Sequence, residues 1–281
     1  RSGRKKHLKV TKNLINNFIK KKSININEVT TDFLYSFQKF LRTYKNERSQ
    51  NTITAKLKMF RGFMNYAYKE GLIKDNPFKK FPITREEYGD PIFLTKAERD
   101  KLYKLELNDK RLDRVRDMFV LQCFIGCRIG DFVKLRHNNI IDGFIHYVPG
   151  KTSEENQRVC KVPLTSKAKA IIDKYDLPDG SLVPYISGQK YNEYLKELFR
   201  FAELNRTVVR LNPLTRQNES VKLHEVASSH MARRTFIGIL HKTAKDSVIA
   251  SMSGHVKNSK AFSRYYNVDE EDQLKAIKDI E

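Results

Sequence analysis

The sequence predicts a mainly α-helical protein with a small antiparallel β-sheet, an α+β fold in two domains. Apolar residues recur at helical spacing through the first third of the chain and again in its second half, and the period changes to that of strands near residue 140. A length of 281 residues also suggests two domains. The segment 82–93 is rich in proline, glycine and charge, so it is predicted to link domains at 1–81 and 94–281.

The first domain is predicted to be a compact, all-helical bundle. Thr31 or Asp32 is expected to cap one helix, whose apolar row then falls at every fourth residue. The clearest helix opens at Ser49 or Asn51. Its apolar face consists of Ile53, Leu57, Phe60, Met64 and Ala67.

The second domain is predicted to alternate helices with one β-hairpin. A capping box from Thr95 to Glu98 opens its first helix. Two apolar segments, 143–148 and 159–162, flank a polar turn and indicate a hairpin or small antiparallel sheet. The helical patterns cover 95–106, 110–126, 165–175, 190–205, 229–242 and 245–253, and an amphipathic stretch at 269–280 closes the chain.

The charge is strongly positive and unevenly distributed. The chain has 54 Lys and Arg against 33 Asp and Glu, a net charge of +21. Through Phe81 the count is 20 against 5, so the first domain carries +15 and the remainder only +6. This distribution favours a first domain that binds nucleic acid over a basic surface kept for solubility. Lys56, Lys58 and Arg61 lie off the apolar face of the clearest helix and are predicted to contact DNA.

Several protein classes are excluded by what the sequence lacks. No run of 18 apolar residues is present, so no membrane-spanning segment is expected. The three cysteines lack paired spacing, so neither a structural metal nor a disulfide framework is predicted, and a reducing cytoplasm is the expected compartment. The chain begins at Arg1 without a Met or an apolar segment, so no signal peptide is visible.

Two further enzyme classes fail on single missing residues. His224-Glu225 lacks the second histidine of a zinc-hydrolase motif. Gly150-Lys151-Thr152 resembles the end of a phosphate-binding loop, but Ile145 stands where that loop requires glycine. Neither zinc hydrolysis nor ATP binding is therefore expected.

Cationic and imidazole groups recur in four separate segments of the second domain, and a tyrosine follows them. Each group alone is a weak signal, since isolated Arg, Lys and His residues are common on protein surfaces. The set, in chain order, is Arg128 within Gly-Cys-Arg-Ile-Gly-Asp, Lys151 in the hairpin turn, His230 and Arg233 as His-x-x-Arg, His255 after Gly254, and Tyr265.

Together and in this order, these residues resemble the tyrosine recombinase (phage integrase) family, including integrases of phages and mobile elements. Residues 51–78 resemble the last helix and exit of that family's core-binding domain. The resemblance implies a helical, SAM-like core-binding domain at 1–81 and a catalytic domain at 94–281. Many integrases carry a further arm-binding domain, and whether one precedes Arg1 stays open.

Phosphodiester cleavage without a metal requires fixed cations around the phosphate, and guanidinium forks suit its oxygens. Arg128 and Arg233 are assigned to that task, and His255 to a further hydrogen bond to the phosphate. Tyr265 is the expected nucleophile. The resemblance implies that it joins the 3′-phosphate.

Proton transfers complete the expected chemistry. His230 is expected to accept the phenolic proton, and Lys151 to protonate the departing 5′-oxygen. Asp131 lies one helical turn after Arg128 and is expected either to orient the active-site groups or to be an ordinary surface carboxylate.

Two details depart from the usual family pattern. Many members place the nucleophile nine residues after the Gly-His histidine, and here that position is Arg264. One inserted residue restores the register, which favours Tyr265 over Tyr266. Arg233 is followed by Arg234, which would point about 100° round the helix. We expect Arg234 to contact the DNA backbone or an acidic neighbour.

The expected function is site-specific recombination of double-stranded DNA, with integration or excision of a mobile element as the role. The resemblance implies a homotetramer on paired DNA sites, with accessory DNA-bending proteins as further partners. It implies neither a metal nor another cofactor, no association with a membrane, and a location on the bacterial nucleoid when the protein is bound to DNA. The segment 269–280 would dock on a neighbouring subunit or on its own domain. The alternatives are a type IB topoisomerase and a non-catalytic DNA-binding protein of the same fold.

Overall fold

The computed structural model describes residues 2–20, 22–150, 158–255, 260–266 and 277. The chain divides into two compact units. Unit one comprises Arg1–Gly89 with Leu211–Glu219, and unit two comprises Asp90–Arg210 with Ser220–Glu281. The predicted linker 82–93 is thereby divided between the units after Gly89.

Unit one is built on helices α1 (Ser2–Phe18), α2 (Thr31–Thr43) and α3 (Gln50–Lys69). Thr30 caps α2 by accepting a hydrogen bond from the Phe33 amide at 3.2 Å. The predicted cap at Thr31 or Asp32 was wrong, because both residues already lie inside the helix, whereas a cap precedes it. Ser49 caps α3, as one of the two predicted alternatives.

The core of unit one joins these three helices. The predicted apolar face of α3 is fully or almost fully buried. Phe18, at the end of α1, lies with its ring centroid 5.1–5.4 Å from those of three aromatic rings of α2. These rings belong to Phe33, Phe37 and Phe40. Edge-to-face and tilted packing of this kind stabilises small cores.

The segment that follows the bundle lies along α3 within unit one. Asn51 accepts from the Glu87 amide at 3.0 Å and donates to the Glu87 carbonyl oxygen at 2.6 Å. Thr54 donates to the Thr84 carbonyl oxygen at 2.9 Å. Arg216 forms an ion pair with the Glu87 side chain. Residues 84–89 are thus fixed by hydrogen bonds.

Unit two is mainly helical, with a three-stranded sheet. Its helices are α4 (Lys96–Lys104), α5 (Lys110–Ile125), α6 (Ile129–Phe132), α7 (Ser166–Ile172), α8 (Gly188–Phe201), α9 (Ser229–His241), α10 (Asp246–Ser253) and α11 (Lys260–Ser263), which runs into a 3₁₀ turn at Arg264–Tyr266. The predicted capping box is present, since Thr95 and Glu98 exchange side-chain-to-amide hydrogen bonds of 2.8 and 3.1 Å.

Helix α5 is the central element of unit two and packs against α4, α7, α8 and α9. Its residues from Val115 to Ile125 are all buried. Gly126 ends the helix in the left-handed conformation, with φ of +73°. A Cβ at this position would lie 2.2 Å from the Phe236 ring on α9, so only glycine fits. The chain therefore turns sharply just before Arg128.

The predicted hairpin forms most of the three-stranded antiparallel sheet. Strands β1 (Ile140–Ile141), β2 (Phe144–Tyr147) and β3 (Cys160–Pro163) lie in that order. Tyr147 pairs with Cys160 at the end that leads into the turn. A second hairpin, β4 (Thr207–Leu211) and β5 (Asn218–Lys222), was not predicted. Across the described residues, every helix is too short or too polar to cross a bilayer.

Candidate active site

Arg233 lies at the centre of the candidate site and is only 2% exposed. Helix α9 carries it into unit two. Its Nη1 donates to the carbonyl oxygens of Gly126 at 2.9 Å and Ser253 at 2.6 Å. Burial lowers the pKa of this guanidinium, and the nearby positive charge of Arg128 lowers it further. Within the described part of the chain no carboxylate pairs with Arg233, so its charge is held by neutral dipoles.

His255 follows α10 and contacts Arg233 directly. Nη2 of Arg233 lies 2.9 Å from Nδ1 and 3.2 Å from Nε2 of the imidazole. The Ser253 hydroxyl donates to the Ile249 carbonyl oxygen at 2.7 Å and lies 2.9 Å from Nδ1. A guanidinium has donors only, so the ring nitrogen that pairs with Arg233 accepts from it, and the other ring nitrogen carries the proton of the neutral imidazole.

The imidazole is neutral at physiological pH. Burial lowers the pKa of His255 to about 3, and the charges of Arg233, Arg128 and His230 contribute. Neighbouring cations disfavour a further positive charge. Conversely, an anion bound among these groups would raise the pKa of His255 and favour its protonation.

Arg128 stands between α5 and α6 as the N-cap residue of the short helix α6. Its guanidinium forms no hydrogen bond or ion pair with the described residues, yet it is close enough to lower the pKa values of both Arg233 and His255. Two guanidinium groups and an imidazole thus lie close to one another in this site. Such a group of cations is suited to bind an anion.

Tyr265 lies on the 3₁₀ turn after α11, half-buried against the core of unit two. Its ring centroid is 6.4 Å from those of Phe93 and Phe262. Burial raises the pKa of the phenol, and the charges of Arg234, Arg233 and Arg264 oppose this rise. The phenol therefore lies within electrostatic reach of the buried cation Arg233. The side chain of the alternative nucleophile, Tyr266, is outside the described residues.

The two other predicted residues of α9 interact electrostatically with His255 and Tyr265. His230 is exposed, and its charge lowers the pKa of His255. Arg234 is half-buried, and burial lowers its pKa while the Tyr265 phenol raises it. Arg234 stays a predicted contact of the DNA backbone or of an acidic neighbour, and among the described residues its charge interacts with the Tyr265 phenol.

Asp131 connects α6 to the end of strand β2. Its Oδ1 accepts a hydrogen bond of 3.0 Å from the amide of Gly150. Gly150 directly precedes Lys151 in the sequence. Lys151 itself, the predicted general acid, lies outside the described residues, as does the segment 269–280 apart from the exposed Ile277.

Comparison with known proteins shows similarity to integrases and tyrosine recombinases. Residues 1–83 match the phage integrase SAM-like domain. Tyrosine recombinase XerC of Thermodesulfovibrio yellowstonii is 33% identical over 132 residues, which cover 46% of this chain and 42% of that protein. Tyrosine recombinase XerC of Bacillus licheniformis is 24% identical over 237 residues, which cover 80% and 73%.

The fold agrees with these sequence matches. A lambda integrase (75–356) dimer bound to a COC′ core site has the same fold, with a TM-score of 0.68 at 16% identity over 92% of this chain and 87% of that one. In sequence and in fold the chain is therefore similar to tyrosine recombinases. The first of the relatives above aligns with this chain over less than half of its own length.

The predicted DNA contacts lie on α3 of unit one. Arg61 is exposed. Lys58 pairs with Glu86 at 3.0 Å. Lys56 is half-buried, and burial together with the charge of Arg48 lowers its pKa. The three side chains therefore differ in how readily they could neutralise a phosphate, with Arg61 the most available.

Sequence reasoning missed the groups that hold Arg233 and His255 in place. Ser253 orients His255, and the Gly126 carbonyl oxygen accepts from Arg233. The only sequence signal for Ser253 is its position two residues before the histidine. Backbone carbonyls leave no signal at all. Among the described residues, no group of His, Cys, Asp and Glu is arranged to hold a metal ion.

Proposed function

We propose that this chain is a site-specific recombinase that cleaves and rejoins DNA through a covalent 3′-phosphotyrosine at Tyr265. The observation that carries the proposal is the convergence of Arg128, Arg233 and His255 in one site, with the Tyr265 phenol within electrostatic reach of it. The names of the relatives, tyrosine recombinases, support the same reaction.

A scissile phosphate is the anion that this site fits best. The two guanidinium groups repel each other in the resting site, and a phosphate between them would relieve that repulsion. Their planar forks pair with phosphate oxygens bidentately. The bound phosphate would raise the pKa of His255 and favour the imidazolium, which would donate to a non-bridging oxygen. Each such donor stabilises the negative charge of the transition state.

Cleavage then exchanges one ester for another. The Tyr265 Oη–phosphorus bond forms while the bond from phosphorus to the 5′-oxygen breaks. The phenolic proton passes to His230, and the departing 5′-oxygen takes a proton from Lys151. Attack by a 5′-hydroxyl on the phosphotyrosine reverses both changes, which rejoins the strand without an external energy source.

Unit one supplies affinity in this proposal. Its net positive charge would bind phosphates of the duplex, and Arg61 is its most available predicted contact. A lambda integrase tetramer, with the same fold, has been solved bound to a Holliday junction. By analogy, this chain would assemble as a tetramer on paired sites, aided by DNA-bending proteins, to integrate or excise a mobile element.

A covalent-trapping experiment tests the proposal. The substrate is a pool of duplexes with a randomised centre, each with a nick just beyond a candidate cleavage position. Cleavage releases the short 5′-hydroxyl fragment between the cleavage position and the nick. Once this fragment diffuses away, cleavage cannot reverse. We expect a detergent-resistant protein–DNA adduct with the wild type and Tyr266→Phe, and none with Tyr265→Phe. An adduct with Tyr265→Phe would overturn the nucleophile, and no adduct with the wild type would favour a binding protein.

The same proteins distinguish recombination from topoisomerase activity. A supercoiled plasmid without the selected sequence should remain supercoiled in the presence of the wild type. Rapid relaxation of that plasmid would support a type IB topoisomerase instead.

A further inference from the structure

We propose that Phe93 is a positioning residue, whose ring supports the Tyr265 ring beside α9 and thereby sets how the phenol approaches the phosphate. This inference rests on the proposed function, because it concerns the nucleophile of that reaction. Phe93 is the last residue of the predicted linker 82–93, and it belongs to unit two. Sequence reasoning assigned no role to it.

The ring of the proposed nucleophile lies against that of Phe93. The two ring centroids are 6.4 Å apart and the ring planes are inclined by 43°, which is within the range in which aromatic side chains attract each other. Phe262 lies at the same centroid distance from Tyr265, but it precedes Tyr265 by only three residues. Of these two rings, only that of Phe93 comes from a distant part of the chain and can fix the nucleophile relative to it.

The backbone around Phe93 is held by two hydrogen bonds. The carbonyl oxygen of Phe93 accepts from Nη2 of Arg206 at 2.7 Å. The amide of the next residue, Leu94, donates to Oγ1 of Thr235 at 3.0 Å, and both of these residues are fully buried. Thr235 lies on α9 two residues after Arg233. This bond therefore ties Phe93 to the helix that carries an arginine of the candidate site.

The ring of Phe93 also packs directly on α9, at Gly238. A Cβ at position 238 would lie 2.4 Å from Cε2 and 2.7 Å from Cζ of the ring, so even alanine would displace it. Glycine destabilises the interior of a helix relative to alanine, and the Phe93 ring explains its presence here. Arg234, whose charge interacts with the Tyr265 phenol, precedes Gly238 by four residues and lies on the same face of α9.

Loss of the Phe93 ring would let the phenol move without altering the groups that bind the phosphate. Reacting atoms must approach to about 3–3.5 Å in the correct direction, and a displacement of about 1 Å can cost roughly a hundredfold in rate. Arg128, Arg233 and His255 would still hold the phosphate. The loss should therefore fall on attack by Tyr265 in particular.

Two substitutions act on this ring from the two sides of its contact with α9. Phe93→Ala removes the ring, and Gly238→Ala pushes it away from the helix. Adduct formation is measured at saturating protein on the nicked duplex recovered by covalent trapping, and we expect each variant to be slower by roughly tenfold to a hundredfold. Gly188→Ala, on α8 where a Cβ meets open space, is the matched control and should keep the wild-type rate.

The double variant tests whether both substitutions act through the same contact. Once Phe93→Ala has removed the ring, the methyl group of Gly238→Ala enters the space that the ring has left. Gly238→Ala should therefore cause little further loss in the Phe93→Ala protein, although it is harmful alone. Such non-additivity is the mark of two residues in direct contact.

Hydrogen peroxide separates a misplaced nucleophile from a damaged site. In Tyr265→Phe, peroxide can attack phosphorus in place of the phenol and displace the 5′-oxygen, so release of the 5′-hydroxyl fragment is measured. Adding Phe93→Ala should leave this rate unchanged, because peroxide reaches the phosphate by diffusion. Adding Arg128→Ala should lower it by about 10²–10³, the usual loss for one donor to the transition state.

Three outcomes would overturn the inference. The first is a wild-type rate of adduct formation for Phe93→Ala. The second is an additive loss in the double variant, which decides the matter even if peroxide does not reach the phosphorus. The third is a loss of peroxide cleavage with Phe93→Ala as large as that with Arg128→Ala. In each case Tyr265-dependent adduct formation by the wild type would still stand, whereas its absence would overturn the proposed function itself.

Discussion

The two units hold their cationic side chains in opposite ways. On α3 of unit one, Arg61 is exposed and Lys58 pairs with a carboxylate at the surface. In unit two, Arg233 is 2% exposed and directs its donors at two carbonyl oxygens and an imidazole. The same kind of charge is therefore kept in water in one unit and removed from it in the other.

This difference separates affinity from catalysis. Exposed charges are screened by salt and bind phosphates of any sequence by releasing counterions. A buried charge costs desolvation, but it is fixed before the substrate arrives and acts in a medium of low dielectric. We therefore expect changes in unit one to alter binding and its salt dependence, and changes in unit two to alter the rate of cleavage.

The largest effect is expected at Arg233. Arg233→Lys keeps the charge but loses the planar fork and its hydrogen bonds to Gly126 and Ser253. Adduct formation should fall by about 10²–10³, the usual loss for one transition-state donor, with DNA affinity changed far less. Arg136→Lys, at an arginine of the same unit that pairs with Asp179, is the matched control. Equal losses for both variants would contradict a specific role of Arg233 in the transition state.

The next effect concerns stability and pH. The folded imidazole of His255 has a pKa of about 3, below its usual 6.5, so the unfolded chain binds a proton first as the pH falls. His255 contributes fully to the free energy of unfolding above about pH 6.5, and this contribution is lost as the pH falls from there to about 3. The loss is less than about 1.4 kcal/mol per pH unit, because solvent screens part of the ring.

Urea unfolding of the wild type and His255→Gln between those pH values measures this contribution. The variant should lose stability less steeply than the wild type, and the surface substitution His137→Gln controls for the loss of one imidazole. If the free energy of unfolding depends on pH in the same way for the wild type and His255→Gln, the cations do not hold His255 neutral.

A smaller effect is expected in unit one. Arg61→Ala should make the slope of log affinity against log salt shallower by about 0.9, the value for one lost phosphate contact. Lys58→Ala should change it less, since Glu86 already neutralises Lys58. Lys167→Ala, a lysine of unit two that pairs with Asp100, is the control. A larger change for Lys58→Ala than for Arg61→Ala would show that the ion pair opens on DNA.

The smallest effect is expected at Arg234. Its charge opposes the rise in the pKa of the Tyr265 phenol. Arg234→Gln should therefore shift the pH profile of adduct formation to higher pH and slow the reaction a few-fold, about the scale of a partly screened charge, whereas Arg234→Lys should keep the wild-type profile. An equal loss of DNA affinity in both variants, without a shift of the profile, would return Arg234 to the predicted backbone contact.

The sequence predicted the regular part of the fold well. The hairpin that carries Lys151 was confirmed as β2 and β3, because its alternation of buried and exposed residues leaves a clear pattern. The second hairpin, β4 and β5, was missed. Only one residue of these two strands, Val208, is buried, so the periodic signal there is weak.

The sequence predicted the side chains of the site but not the contacts that hold them in place. The order of Arg128, Arg233 and His255 in the chain named groups that the structure brings together. The contact from Ser253 to His255 and that from Asp131 to Gly150 depend on how distant segments pack. No local pattern encodes them. Lys151 stays a prediction from sequence.

Direct identification of the residue that bears DNA tests the central claim most sharply. The trapped adduct is digested with trypsin and nuclease, and the nucleotide-bearing peptide is fragmented in a mass spectrometer to separate the two adjacent tyrosines. We predict a phosphodiester on Tyr265. A nucleotide on Tyr266, or on any residue outside the turn 264–266, would contradict the arrangement described above.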